Sequence, residues 1–393
     1  MWLLCLVVFA IQSILSSTGI ILQGGNPEAY MNISEIIHHK GYQVEEYEIA
    51  TSDGYILTLN RIPHGRKQHW SLSGKPVVLL QHGLCLEGRV WVANMPNQSL
   101  AFMLADAGYD VWIGNNRGNS WSRKHQYLTF KQDQYHAYSF DEMGRYDLPA
   151  MISFIVEKTK KSKIHLVGYS QGAAQGFIAL SSMPHMAEKI KMFHALSPAT
   201  TLKNSQNPLI KLLFLPDAAI KGLLGRRDFF LRNEILRKMV IRKCSSIMYN
   251  KLCSQFISFI GGYNEKNVNL SRMDVYMSYF PDSTSIQNIL HWGQIYKTGK
   301  FRAFDYGNGN KERYNQDEPP SYNVERITVP ISIWYGENDQ LVTPDNVKGL
   351  IDQLHSVVYK TSLSDWTHFD FIWGLDASKR VYGPLIKLIS LHT

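Results

Sequence analysis

The chain has 393 residues, 45% of them hydrophobic and 19% charged, with a formal net charge of +8. That balance supports a large buried core and excludes a disordered or fibrous chain, and one domain carrying an insertion fits the length as well as two domains. No Cys or His pairs stand at ligand spacing, so no metal site is expected; no cofactor is expected either.

Met1 to Leu22 carries no charge and contains the apolar run Trp2 to Ala10, followed by Ser16, Ser17, Thr18 and Gly19. This reads as a secretory signal peptide over residues 1–19. An uncleaved anchor is the alternative, although the apolar part is shorter than the ~20 residues a span needs, and no later stretch is long and apolar enough to cross a bilayer. Three N-x-S/T triplets, at Asn32, Asn97 and Asn269, are candidate glycosylation acceptors and agree with export. Cleavage would remove Cys5 and leave Cys85, Cys244 and Cys253. Cys244 and Cys253 would close the short loop, which favours them as the pair in an oxidising compartment.

Val44 to Arg61 alternates apolar and polar residues around Asp53-Gly54, a hairpin signal. Pro76 to Gln81 is a nearly continuous apolar run ending in His82-Gly83-Leu84. Ser99 to Ala107 has helical spacing and leads into a buried strand, Tyr109 to Ile113; a helix over Phe140 to Lys158 precedes strands at Ile164 to Val167 and Ile190 to Leu196. Strands alternating with helices predict a mostly parallel sheet covered on both faces. The rhythm breaks near Ala199 and returns near Ile327, with Val329 to Tyr335, a helix Pro344 to Leu354, a strand Ser356 to Leu363 and a last helix after Asp376. The intervening segment is rich in helix formers and aromatics and predicts an inserted cap. The expected division is a first core part over 20–199, a cap and lid over 200–326, and a second core part over 327–393.

Gly168-Tyr169-Ser170-Gln171-Gly172 lies between the Ile164 strand and a helical pattern. A serine at the apex of so sharp a turn needs small neighbours two residues away on each side, and Gly168 and Gly172 supply them. A serine hydroxyl is a poor nucleophile near neutral pH, so Ser170 needs a base and a group that orients the base. In the α/β-hydrolase arrangement these follow in chain order, acid and then histidine. Asp339, directly after the strand Val329 to Tyr335, is the candidate acid, with Glu337 as its competitor. His368, in the loop after the next strand, is the candidate base in preference to His355 and His392. Backbone N–H groups of Leu84 and Gln171 are placed to form the oxyanion hole.

Several longer stretches carry a resemblance: Thr51 to Ile62 (TSDGYILTLNRI), Gln81 to Leu84, Leu104 to Trp112 (LADAGYDVW), Arg117-Gly-Asn with Trp121 to Lys124, Tyr146 to Pro149, and Asp370 to Asp376. On these the chain, from about Asn26 to Leu391, resembles the acid lipase family, the gastric and lysosomal acid lipase group. The resemblance implies an α/β-hydrolase core with a mostly helical cap, a triad matching Ser170, Asp339 and His368, oxyanion donors matching Leu84 and Gln171, and a cap disulfide matching Cys244 and Cys253. Two stretches depart from the family pattern. Cys85 to Val90 replaces small residues before Trp91, and Ala173-Ala174 stands where hydroxyl residues are common. Both departures are expected to line the acyl site, with Leu86 and Arg89 pointing into it.

The expected activity is a secreted or lysosomal serine lipase or esterase acting on acylglycerols or sterol esters. A soluble carboxylesterase or thioesterase, and a lipid-binding pseudoenzyme, are the alternatives. Between Lys221 and Lys243 eight basic residues face two acids, interleaved with apolar side chains including Phe229, Phe230 and Leu231. That pattern suits a lipid–water interface or an anionic membrane surface, whereas nucleic acid finds no recognition motif.

Overall fold

A period-two alternation along the strands divides their side chains between two cores. Val78, Leu80, Val111, Ile113 and Val167 join one buried cluster, while Val77, Leu79, Trp112 and Leu166 join the other. The sheet is therefore covered on both faces, which is the burial that a parallel sheet requires. The computed structural model describes residues 25–66, 74–205, 207–230, 233–262 and 264–392. The expected signal peptide, residues 1–19, lies outside the described residues.

The strands are β1 (Glu45–Ala50), β2 (Tyr55–Ile62), β3 (Val77–Gln81), β4 (Asp110–Gly114), β5 (Lys124–His125), β6 (Ile164–Tyr169), β7 (Ile190–Leu196), β8 (Asp228–Phe229), β9 (Thr284–Ser285), β10 (Ile331–Gly336) and β11 (Val357–Leu363). The main sheet runs β1-β2-β4-β3-β6-β7-β10-β11, with β5 against β2. β2 is antiparallel to both β1 and β4, and β3, β4, β6, β7, β10 and β11 are mutually parallel. This is the α/β-hydrolase fold. The hairpin turns where the sequence places it, with Gly54 at a φ of +96° between β1 and β2.

The segment read as one helix from Phe140 to Lys158 is interrupted. An α-helical turn at Phe140–Glu142 passes into a wider, π-type turn at Met143–Asp147 before the helix Leu148–Thr159. Pro149 has no amide to donate, so the regular ladder cannot run through this point.

Between β7 and β10 the chain is mostly helical, including Asp217–Leu224, Glu234–Cys244, Ile247–Gly261 and Ile286–Thr298. Its one ladder among the described residues is β8 with β9. Two residues per strand are too few to leave a period in the sequence. A disulfide joins Cys244 to Cys253, and with it the end of the helix Glu234–Cys244 to the middle of the helix Ile247–Gly261.

Candidate active site

The site grows from the junction of β6 and the helix Gln171–Ser182. Ser170 occupies that junction with φ +54° and ψ −118°, a strained backbone for a residue other than glycine. Its amide donates to the carbonyl of Leu196 at 2.9 Å, and its carbonyl accepts the amides of Ala173 and Ala174. The flanking glycines are needed for space. A Cβ on Gly172 would lie 2.4 Å from the Gln81 carbonyl oxygen, and one on Gly168 would lie 2.7 Å from that of Gly172.

Ser170 Oγ is 2.9 Å from His368 Nε2. His368 Nδ1 is 2.7 Å from Asp339 Oδ2. All three side chains are buried. The other carboxylate oxygen of Asp339 accepts the amides of Leu341 and Val342, both at 2.9 Å. The turn after β10 thus fixes the Asp339 carboxylate through its own backbone. Glu337 points elsewhere, 3.9 Å from Lys348. His355 is exposed, and His392 bonds the carbonyl of Leu388.

The loop bearing His368 is held from three sides. Its amide donates to the carbonyl of Gly261 at 3.0 Å, at the end of the helix Ile247–Gly261. Its carbonyl accepts the Tyr169 hydroxyl at 2.9 Å. Asp370, whose carboxyl is raised by burial, closes the turn by accepting the amide and hydroxyl of Thr367 and the side-chain amides of Asn264 and Asn267.

Leu84 and Gln171 flank Ser170 in the wall of one cavity. The loop carrying Leu84 presses on Ser170, since a Cβ on Gly83 would lie 3.0 Å from that of Ser170. Burial pushes the His82 imidazole down to about 4. The ring is therefore neutral, with Nδ1 donating to the Gly83 carbonyl and Nε2 accepting the Asn116 amide. Gln171 is fixed by its side chain: Oε1 accepts Asn288 Nδ2 at 2.9 Å and Trp292 Nε1 at 2.8 Å.

The cavity has a volume of ≈ 440 Å³, and among the described residues none that lines it is Asp, Glu, Lys or Arg. Leu209, Leu213, Leu223 and Phe230 form part of its outer wall, and Leu86, Phe280 and Phe369 lie deeper. Cys85 and Leu86 line it as expected from the sequence. Arg89 does not. Its guanidinium is buried against the Glu87 carboxylate and over the ring of Tyr279, and it lines a separate polar cleft with Tyr30 and Trp121. Ala173 and Ala174 also lie outside the lining, because they face back into the core beneath the sheet.

Asn32 caps the helix Ile33–His39, and Asn269 caps a short helical turn, each through its own Oδ1. Asn97 is exposed on a turn. Ser197, Asn288 and Trp292 are site residues that sequence reasoning missed. Only Ser197 carried a signal, its place at the carboxyl end of a parallel strand, where such sheets build their sites.

Two family models match this chain. One, described as the alpha/beta hydrolase fold, covers residues 76–375, and the other, a partial alpha/beta-hydrolase lipase region, covers 33–95. Human lipase member M is 49% identical over 99% of this chain and 92% of its own. Human lysosomal acid lipase/cholesteryl ester hydrolase is 46% identical, over 98% and 96%. Human gastric triacylglycerol lipase is 45% identical, over 99% of each. Among solved structures, a soluble variant of monoglyceride lipase from Saccharomyces cerevisiae matches with a TM-score of 0.52 at 16% identity, covering 90% of this chain and 94% of that one. At that identity the match speaks for the fold alone.

Proposed function

The chain belongs to the acid lipase family of α/β-hydrolases and is a carboxylic ester hydrolase; on that premise we propose that Ser170, His368 and Asp339 are its triad and neutral lipid esters its substrates. The observation that carries this is the 2.9 Å contact of Ser170 Oγ with His368 Nε2 in the wall of an apolar cavity.

In this reading Ser170 Oγ attacks the ester carbonyl carbon while its proton passes to His368 Nε2. Asp339 holds Nδ1–H and stabilises the imidazolium. The N–H groups of Leu84 and Gln171 receive the oxyanion. His368 then protonates the departing alcohol oxygen, and water repeats the sequence on the acyl-enzyme. The uncharged lining disfavours substrates with a charge near the ester, because an unpaired charge in such a wall would be desolvated. Acylglycerols and sterol esters meet that condition, and relatives carry triacylglycerol lipase and cholesteryl ester hydrolase in their names.

Residues 200–326 serve as the cap and lid in this reading. Leu215, Leu223 and Phe230 in its outer wall are exposed, and Lys221 and Arg226 beside them are exposed cations. Such a rim suits adsorption on a lipid–water interface and favours anionic lipid. Arg232 and Leu231 of the same stretch lie outside the described residues. Export to the cell exterior or the lysosome accounts together for the apolar N-terminus, the disulfide and the acceptors Asn32, Asn97 and Asn269.

The test is trapping with a fluorophosphonate probe. Stoichiometric labelling of Ser170 is expected, and a folded protein that stays unlabelled, or is labelled elsewhere, overturns the triad. Activity that rises sharply when a long-chain ester passes from solution to emulsion supports a lipase. Equal rates on both sides of that limit would make it a soluble esterase.

A further inference from the structure

The acid of the site has a partner from outside its own turn. Ser197 is the first residue after β7, fully buried, and its hydroxyl oxygen is 2.6 Å from Asp339 Oδ2 and 3.0 Å from His368 Nδ1. We propose that Ser197 is a positioning residue of the ester hydrolysis, holding Asp339 and the imidazole in register through its hydroxyl. The inference rests on the reading of Ser170, His368 and Asp339 as the triad.

The hydrogen-bond roles follow from counting protons. A serine hydroxyl has one proton, and the shorter contact, to a carboxylate oxygen that can only accept, takes it. Toward His368 the Ser197 oxygen can therefore only accept. Nδ1–H is shared between Asp339 Oδ2 and Ser197 Oγ, so the proton belongs on Nδ1. That tautomer leaves Nε2 unprotonated and facing Ser170 Oγ. With the amides of Leu341 and Val342 on its other oxygen, the Asp339 carboxylate is held by four donors, and it cannot rotate without losing several of them.

The backbone supports the same assignment. Ser197 has φ +42°, a left-handed conformation that a non-glycine side chain adopts only under constraint. Its amide donates to the Trp334 carbonyl at 2.7 Å, on β10, and the carbonyl of the preceding Leu196 accepts the amide of Ser170. One dipeptide thus ties the nucleophile's turn to the strand that carries the acid. The left-handed turn is what places the hydroxyl between Asp339 and His368.

Removing the hydroxyl concentrates the carboxylate's charge on Nδ1–H, and the imidazolium then holds its proton more tightly. The loss of the oxygen as acceptor acts in the opposite direction, but that shared contact is longer and weaker than the 2.6 Å bond to the carboxylate. The acidic limb of the pH–rate profile should therefore move to higher pH.

Ser197→Gly separates the hydroxyl from the backbone, because glycine adopts a positive φ without strain; Ser197→Ala provides a second variant. Turnover of a short soluble ester is measured across pH for both, for Ser170→Ala, for Asp339→Asn and for Ser197→Gly combined with Asp339→Asn, with thermal unfolding as the check on folding. In Ser197→Gly, kcat is expected to fall about 10- to 100-fold with KM within about twofold, and the acidic limb to rise by about half a pH unit or more. The combined variant should be no slower than Asp339→Asn alone, since Ser197 acts through that carboxylate. A Ser197→Gly enzyme with the wild-type kcat and acidic limb overturns the proposal, as do losses that multiply in full in the combined variant. If Ser170→Ala is inactive while Ser197→Gly behaves as wild type, only the Ser197 assignment falls. If Ser170→Ala retains turnover, the triad and the Ser197 assignment fall together.

Discussion

Trp292 Nε1 donates to Gln171 Oε1 at 2.8 Å across 121 residues of sequence. The residue after Ser170 is thereby tied to the helix Ile286–Thr298, and the same oxygen accepts Asn288 Nδ2 from one turn earlier on that helix. The segment between β7 and β10 is therefore part of the site's geometry.

Trp292→Phe keeps the ring and removes one donor to Gln171. Its kcat on a short ester should fall about 3- to 10-fold with little change in KM, because the oxyanion is stabilised only in the transition state. Asn288→Ala should cost more, since Asn288 Oδ1 also accepts the amide of Phe140. Steady-state kinetics decide this, and an unchanged kcat in both variants would mean that the tether does not reach the reaction.

Ser170→Ala and His368→Ala should each lower ester turnover by roughly 10⁴ to 10⁶ with folding intact. Asp339→Asn should cost on the order of 10⁴, through loss of the imidazole tautomer. Near-normal rates in Asp339→Asn would move the acid elsewhere, although Glu337, beside Lys348, is poorly placed to replace it.

Leu86 lines the cavity and is buried, so Leu86→Ala should raise rates on long or branched acyl esters relative to short ones. Arg89→Ala should leave the chain-length profile unchanged. It should instead destabilise the fold by about 3–5 kcal/mol, since the buried Glu87 carboxylate would lose its cation and keep only the Trp121 Nε1 and Arg89 main-chain donors. A chain-length series and a denaturant titration on both variants separate the two effects. A profile that shifts with Arg89 and not with Leu86 would reverse the assignment.

His165 and His194 stack within the sheet with ring nitrogens 3.4 Å apart, and His194 also faces Ser332. Burial pushes His165 down to about 4, with Lys191 and His392 adding like charge, and holds His194 well below 6.5. Unfolded histidines protonate near pH 6.5, so the folded state binds fewer protons between about pH 6.5 and 4. The stability these groups provide is complete above about 6.5 and is lost as pH falls through about 4. The thermal midpoint should drop over that window. His165→Gln should flatten the drop by up to about 3 kcal/mol at pH 4. If the variant follows the wild-type slope, His165 is not the titrating group.

Inactive Ser170→Ala protein should bind anionic vesicles better than zwitterionic ones, with a preference that shrinks as salt rises. The cations that matter should be Lys221, Arg226 and Lys238, which are exposed. Arg227 is paired with Asp133, and Arg237 with Glu234 and the Ala29 carbonyl. Exchanging the first three for glutamine should remove the preference and spare hydrolysis of a short ester. Vesicle sedimentation checks this, and unchanged binding would mark the basic stretch as ordinary solvated surface.

Local chemistry in the sequence determined the parts of this protein that repeat or are strained. Buried strands leave apolar runs, the Gly54 turn leaves Asp-Gly, and the turn at Ser170 tolerates only glycine at 168 and 172 because carbonyl oxygens lie within 2.4–2.7 Å of any added Cβ. The chain order of serine, acid and histidine was legible for the same reason, since each follows a recognisable strand. Only the tertiary structure decided which neighbours enter the cavity. Leu86 and Arg89 are three residues apart in one loop, yet one lines the apolar wall and the other turns away to Glu87. Likewise nothing in the residues around Ser197 or Trp292 names Asp339 or Gln171 as a partner. Those contacts exist because a parallel sheet gathers strand ends from distant parts of the chain at one edge, and a packed helix supplies the side chains that meet them.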